Sequence, residues 1–185
     1  MASASEPIAS TRERLLAAAV ASCVELGFEG ATVADIARRA DVSAPAIYNH
    51  FGGKVDLLVS AGRWALDELA ADPSQPVTPA GVVRTFLAPG FADTRRLLGE
   101  LHLASQRHPD VADLLAKWHG DHGDRWAKRS HGRGAAARQA DVKVFFALLL
   151  GLAQIDAMSS LDVPRSAIES RAIAMTKLLF PEEAA

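Results

Sequence analysis

The sequence predicts an all-α protein of about nine helices. Nearly every periodic segment repeats at 3.6 residues rather than 2.0. Helix caps and stops recur where those segments begin and end. No alternating apolar–polar stretch runs long enough to compete as a strand. The pattern divides into an amino-terminal three-helix unit over 1–57, with residues 1–9 as an arm, and a larger helical unit over 58–185.

The first helix begins at Ser10, with Glu13 three residues on as a capping-box partner. Leu16, Ala19, Val20, Cys23 and Leu26 make its apolar stripe, and Gly27 is its stop. Thr32 opens the second helix, with Asp35 as box partner, and Val33, Ile36, Ala37 and Ala40 form its buried face. Asp41-Val42 breaks that helix. Ser43 caps a short third helix from Ala44 to about His50, with Pro45 in the first turn, where a missing N–H costs nothing. Gly52-Gly53 ends it. A fourth helix runs from about Lys54 to Ala71, and 72–79 reads as a linker. Five further helices follow at about 80–87, 91–107, 110–128, 137–160 and 165–179. Pro89-Gly90, His108-Pro109, Val163-Pro164 and Phe180-Pro181 punctuate them.

Composition narrows the classes of function. Of 185 residues 49% are apolar, enough for a sizeable core, and 20 basic groups nearly balance 22 acidic ones. Cys23 is the single cysteine, so neither an internal disulfide nor a cysteine zinc cluster can form, and a reducing compartment fits. The longest apolar run, Val144 to Ala153, is too short to span a bilayer, and the first ten residues lack a secretory layout. A cytoplasmic chain with no membrane partner and no cofactor is the expectation. No HExxH, P-loop or Gly-x-Ser-x-Gly occurs, and Cys23 lies on a buried stripe where a thiol is inert, so the chain reads as no enzyme.

Residues 33–51 carry the most information. A helix of about eight residues, a three-residue turn and a short capped helix make a helix-turn-helix. Ala37 is small where two helices cross closely, and Val42 and Ile47 are apolar where the pair must lock. An α-helix fits the major groove of B-DNA. Asn49 can pair with adenine, while Ala44 and Ala46 allow close approach to a thymine methyl. Tyr48, His50 and Lys54 offer donors to phosphate oxygens, and the Gly53 and Lys54 amides opening the fourth helix make an anion site. Charge opposes this reading. Residues 1–56 hold Arg12, Arg14, Arg38, Arg39 and Lys54 against Glu6, Glu13, Glu25, Glu29, Asp35, Asp41 and Asp56, a net of −2 where a basic footprint is usual.

Residues 12–58, and within them LGFEGATVADIA (26–37) and ADVSAPAIYNHFGGKVDLL (40–58), resemble the amino-terminal domain of the TetR (tetracycline repressor) family of bacterial transcription regulators. The rest of the chain is similar to that family in length and helicity alone. The resemblance implies a homodimer, paired through its last two helices, that binds a palindromic double-stranded operator, usually represses, and lets go when a small-molecule effector binds the larger domain. It implies phosphate contacts from Ser43, Tyr48, His50 and Lys54. Ala44, Pro45, Ala46 and Asn49 would lie near bases, and Thr32 near the DNA backbone. Asp41 stands where the family often has Gly, and Gly53 where a hydroxyl or acidic cap is common.

In the larger unit, Val142 to Ile155 is apolar on both sides. Phe145, Leu149 and Leu152 form one face; Val144, Leu148, Gly151 and Ile155 form another. Such a helix is expected to be buried all round. The last helix offers Ile168, Ala172, Met175 and Leu179 on one face. Val111, Leu115, Trp118, His122 and Trp126 form a stripe on the seventh helix. A polar tip among apolar neighbours can orient a ligand, which makes Trp118, His122 and Trp126, with Phe86 and Phe146, the candidate ligand residues. A core histidine bonded to a carbonyl explains His122 equally well. His119 and His122 can converge on an ion beside Asp121 and Asp124, but no third ligand is evident and a solvated face is the default. The five basic groups of 125–138 read as a solvated run. An anionic ligand such as an acyl-CoA stays open there. Two rivals also stay open: a sensor or interaction module that has lost DNA binding, and a metal-responsive regulator.

Overall fold

The computed structural model describes residues 10–70, 78–129, 134–156 and 163–181. These residues form nine α-helices and contain no strand. The helices are α1 Thr11–Gly30, α2 Val33–Arg39, α3 Ala44–Ile47, α4 Lys54–Ala70, α5 Pro79–Leu87, α6 Ala92–Ala104, α7 Pro109–Arg129, α8 Ala135–Asp156 and α9 Arg165–Leu179. The all-α expectation stands. The arm, most of the linker and part of the basic run lie outside the described residues. The chain divides into two compact units between Ala70 and Ala71.

In the first unit, α1 opens on a complete capping box. The Ser10 amide donates to Glu13 Oε2 at 2.7 Å, and Ser10 Oγ accepts from the Glu13 amide at 3.2 Å. Leu15, Leu16, Ala19 and Cys23 are buried, but Leu26 is 45% exposed, contrary to its place on the expected stripe. Gly27 explains the difference. Its φ of 76° and ψ of 166° turn the chain out of the helical path, and Phe28 enters the core in place of Leu26.

Thr32 caps α2 by accepting the Asp35 amide at 3.1 Å, yet Asp35 does not complete the box, because its carboxylate serves Ser22, Arg38 and Arg39 instead. Ile36, Ala37 and Ala40 are buried as the spacing required, with Val33 half-buried. The turn to α3 puts Asp41 at φ 54°, and the Val42 amide closes on the Ala37 carbonyl at 3.0 Å. A left-handed residue with a Cβ is strained by roughly 1–2 kcal/mol, partly offset in Asp by local polar contacts. Asp41→Gly is therefore expected to stabilise the protein by about 0.5–1 kcal/mol, read as a higher urea midpoint at unchanged slope. An unchanged midpoint would mean that the Asp41 side chain relieves its own strain.

Two expectations for α3 are corrected. The α-helix ends at Ile47, not His50, because the amides of Tyr48, Asn49 and His50 bond to carbonyls three residues back, which tightens the turn. Ser43 occupies the cap position, but its side chain makes no capping bond. Pro45 stands in the first turn, as its missing N–H allows. Ile47, Phe51, Leu57, Leu58 and Ala61 complete the core against α1.

The second unit packs α5 on α9, and α6 and α7 on α8. Thr78 caps α5 by accepting the Gly81 amide at 3.0 Å. At the other end of α5, two arginines satisfy carbonyls that a helix terminus leaves unpaired. The buried Arg95 donates from Nη1 to the Phe86 carbonyl at 2.5 Å and the Ala88 carbonyl at 3.0 Å. Arg165 donates to the Leu87 carbonyl at 2.9 Å. A short 3-10 turn at Pro89–Phe91 precedes α6, which ends at Ala104 rather than 107 as its last amides shift to carbonyls three residues back.

The expectation that α8 is buried all round is corrected. Val142, Phe145 and Leu149 face the core, with Phe145 edge-on to Phe180 at 5.7 Å. Val144 is 50% exposed, and Ala140, Ala147 and Gly151 are exposed with it. Periodicity cannot fix the phase of a helix that is apolar on every side. On α9 Ala172 and Thr176 are buried, while Met175 is exposed because the inward face runs through Thr176 instead. Ala167, Ala174 and Leu178 are exposed on that helix too.

Candidate nucleic-acid interface

Burial of Ile47 anchors α3 and turns its other sides outward. Ser43, Pro45, Tyr48, Asn49 and His50 are exposed, with Tyr48 at 62%, and Ala44 and Ala46 are half-buried. No carboxylate occurs between Ser43 and His50. The Thr32 hydroxyl at the α2 terminus accepts the Asp35 amide, and a hydroxyl that accepts can also donate its own proton.

Lys54, in the first turn of α4, is held from the far end of α1. Its Nζ donates to the Glu29 carbonyl at 2.7 Å and lies 6.0 Å from the centre of the Phe28 ring. An ammonium has three donors, so this tether fixes the side chain and leaves capacity for a phosphate oxygen. Arg12 stands 5.4 Å over the Phe51 ring, and His50 is 6.3 Å from the same ring. The anion site expected at the start of α4 already faces one carboxylate: Asp56 Oδ2 accepts the Gly52 amide at 2.7 Å.

The acidic surplus is largely spent inside the unit. Glu13 and Asp56 hold backbone amides, and Glu25 and Asp35 hold Arg39, with distances of 2.6 Å to Glu25 Oε2 and 2.6 Å to Asp35 Oδ2. The Ser22 hydroxyl donates to Asp35 Oδ2 at 2.8 Å, and Arg38 reaches Oδ1 at 2.5 Å. Residue spacing alone gave no sign of this network, which joins α1 to α2. The Ser22 hydrogen bond, then those from Arg39 and Arg38, lower the Asp35 pKa from 3.8 to about 2. A lowered carboxylate pKa adds stability above the unfolded value and loses it as pH falls through the folded one. Asp35→Asn is therefore expected to be less stable than the native chain at pH 7, and the gap should close between pH 4 and pH 2 in denaturant melts. A gap that stayed constant over that range would remove charge from the explanation.

In the second unit, the candidate ligand residues fall in different places. Phe86 is in the core, with its ring 5.8 Å from that of Phe91. Trp118 and Phe146 are brought together, with ring centres 5.8 Å apart and both half-buried. The side chains of His122 and Trp126 lie outside those described. His119 stacks on Phe146 at 4.5 Å, and His102 of α6, which the sequence did not single out, stands 5.2 Å from His119. His102 is an isolated histidine on an ordinary helix, so no sequence signal marked it. Among the described residues, no three His, Cys, Asp or Glu side chains gather as a metal site, and no helix is long and apolar enough to cross a membrane.

Residues 15–61, from α1 into α4, match the sequence profile of "Bacterial regulatory proteins, tetR family". Over these residues the chain is similar to the TetR family. It is 27% identical over 113 residues to the HTH-type transcriptional repressor KstR of Mycolicibacterium smegmatis, a match covering 61% of this chain and 52% of that protein. The HTH-type transcriptional regulator BetI 2 of Chromohalobacter salexigens is 45% identical over 65 residues, covering 35% of this chain and 30% of that protein. The match thus spans about half, or less, of these relatives. A solved transcriptional regulator from Rhodococcus sp. Rha1 has the same fold, with a TM-score of 0.79, 22% identity, and coverage of 94% of this chain and 97% of that one. The residues exposed on α3 and its following turn lie in a helix-turn-helix, the element that enters the major groove in DNA-reading proteins.

Proposed function

We propose that this chain is a ligand-responsive transcriptional regulator that binds a palindromic operator as a homodimer, represses from it, and is released by a small molecule. The observation that carries the reading is the outward face from Ser43 to His50: a short helix locked by Ile47, free of carboxylates, with Tyr48 and Asn49 exposed. Tyr48, His50, Ser43, Thr32 and Lys54 would hold phosphates, which positions the protein without reading sequence. Asn49 would read a base, with Ala44, Pro45 and Ala46 allowing the close approach. The net −2 of residues 1–56 favours the rival reading of a module that no longer binds DNA. The internal use of Glu13, Glu25, Asp35 and Asp56 weakens that rival, since these charges are tied to donors of their own unit.

Dimerisation is proposed through α8 and α9. The exposed residues Ala140, Val144, Ala147 and Gly151 follow one another at helical spacing, as do Ala167, Arg171, Ala174 and Leu178. Mostly apolar stripes on two adjacent helices, broken by Arg171 alone among these eight residues, suit a self-complementary two-fold interface, and a two-fold protein suits a palindrome.

Selection from a random DNA library tests the reading directly. An enriched palindrome is expected, and binding should weaken steeply with salt. Asn49→Ala should relax the selected base at one position per half-site by about 1–3 kcal/mol, whereas Tyr48→Phe should weaken binding evenly across sequences. No enrichment by protein refolded free of ligand would overturn DNA binding, and an unchanged selected sequence for Asn49→Ala would remove it as a base reader.

A further inference from the structure

Three helices of the second unit contribute to one column of rings. His102 comes from α6, His119 from α7 and Phe146 from α8, at successive centre-to-centre distances of 5.2 and 4.5 Å, with Trp118 flanking at 5.8 Å from Phe146. All four rings are half-buried, whereas the adjacent Phe145 is fully buried, as a core ring should be. The column is therefore a wall with an accessible side. α8 also approaches closely at both ends of it. A Cβ at Gly99 would lie 2.9 Å from the Gln154 amide nitrogen, and one at Gly123 3.0 Å from Val142 Cγ1.

The chemistry of His102 sets what this wall can bind. Its Nδ1 is 2.7 Å from the Leu98 carbonyl oxygen. A carbonyl oxygen only accepts, so Nδ1 carries the proton. Burial holds the His102 pKa below its usual value, an effect that the Leu98 bond only partly opposes, and a second imidazole 5.2 Å away does not favour another charge. The ring is thus neutral at pH 7 and its Nε2 is a lone-pair acceptor. The exposed Gln154 amide, packed against Gly99 one turn from His102, offers a second polar group nearby.

We infer that the His102–His119–Phe146 column is a binding site for a planar aromatic molecule bearing an O–H or N–H donor, with the rings taking its face and His102 Nε2 accepting its proton. The inference rests on the reading of the second unit as a ligand sensor and names the ligand class for it. Aromatic faces in offset contact supply affinity that is indifferent to substituents, while a half-buried acceptor discriminates, because an analogue without the donor leaves it unpaired.

Calorimetric titration of the full chain with 2-naphthol and with 2-methoxynaphthalene tests this. The two probes share the ring system and differ in the donor. 2-Naphthol is expected to bind about tenfold tighter. His102→Phe should make the two affinities equal, and Phe146→Leu should weaken both. In the unaltered protein, the 15N resonance of His102 Nε2 should move with 2-naphthol and stay with 2-methoxynaphthalene, a readout that needs no variant to fold. Equal affinities in the native chain, a preference that survives His102→Phe, or an unmoved Nε2 resonance would each overturn the site. Release of selected DNA is read in parallel. 2-Naphthol binding at His102 without release would keep the site and refute its place in regulation.

Discussion

If the chain pairs through α8 and α9 as proposed, Leu178→Glu is expected to turn that dimer into a monomer and to weaken the proposed operator binding by about a hundredfold or more. Leu178 is 74% exposed in the single chain, so a charge there costs the fold of one protomer almost nothing. On a two-fold interface the change appears twice, placing two carboxylates among Ala174, Met175 and Val144. The loss on DNA follows from linkage. In the proposed dimer, two heads held together would bind the second half-site as an intramolecular event, and that advantage, about 10²–10⁴-fold, would vanish on separation. Sedimentation velocity should show halved mass with unchanged circular dichroism. A variant that remained dimeric would move the interface off α9.

The second large effect is on stability. Arg95→Ala should destabilise the second unit by about 3 kcal/mol, because it strips the Phe86 and Ala88 carbonyls of their donor and empties the space of a side chain only 2% exposed. Arg95→Met, which keeps most of the volume without the donors, should fall between the two. Arg165→Ala, which loses one bond from an exposed side chain to the Leu87 carbonyl, should cost under about 1 kcal/mol and serves as the comparison. Equal losses for Arg95→Ala and Arg165→Ala would show that burial does not set the worth of these contacts.

Local chemistry was legible and tertiary chemistry was not. The Ser10–Glu13 box formed with both bonds, and the limits expected for the last helix, 165–179, are those found, because Pro164 and Phe180-Pro181 bracket it. The helix-turn-helix was readable for the same reason: caps, a left-handed Asp41 and a buried Ile47 lie within a few residues of one another. The spacing makes Asp35 a local box partner, but its carboxylate has better donors in Ser22 on another helix and in Arg38 and Arg39, three and four residues along its own. The outward face of α8 was invisible because apolar residues surround that helix. His102 meets His119 only once α6 and α7 are packed, and no periodicity in either helix announces that meeting.

The bend at Gly27 has a consequence for how the helix-turn-helix is enclosed. Phe28 seats in the core because the chain turns at that glycine, and the same short segment supplies the Glu29 carbonyl that holds Lys54. The first turn of α4 is thus tied to the end of α1, a contact between stretches distant along the chain. Closing it carries a loop entropy that neither helix can repay alone. The helix-turn-helix lies wholly inside that loop. The bond from Lys54 to the Glu29 carbonyl thus latches the two ends that enclose those helices.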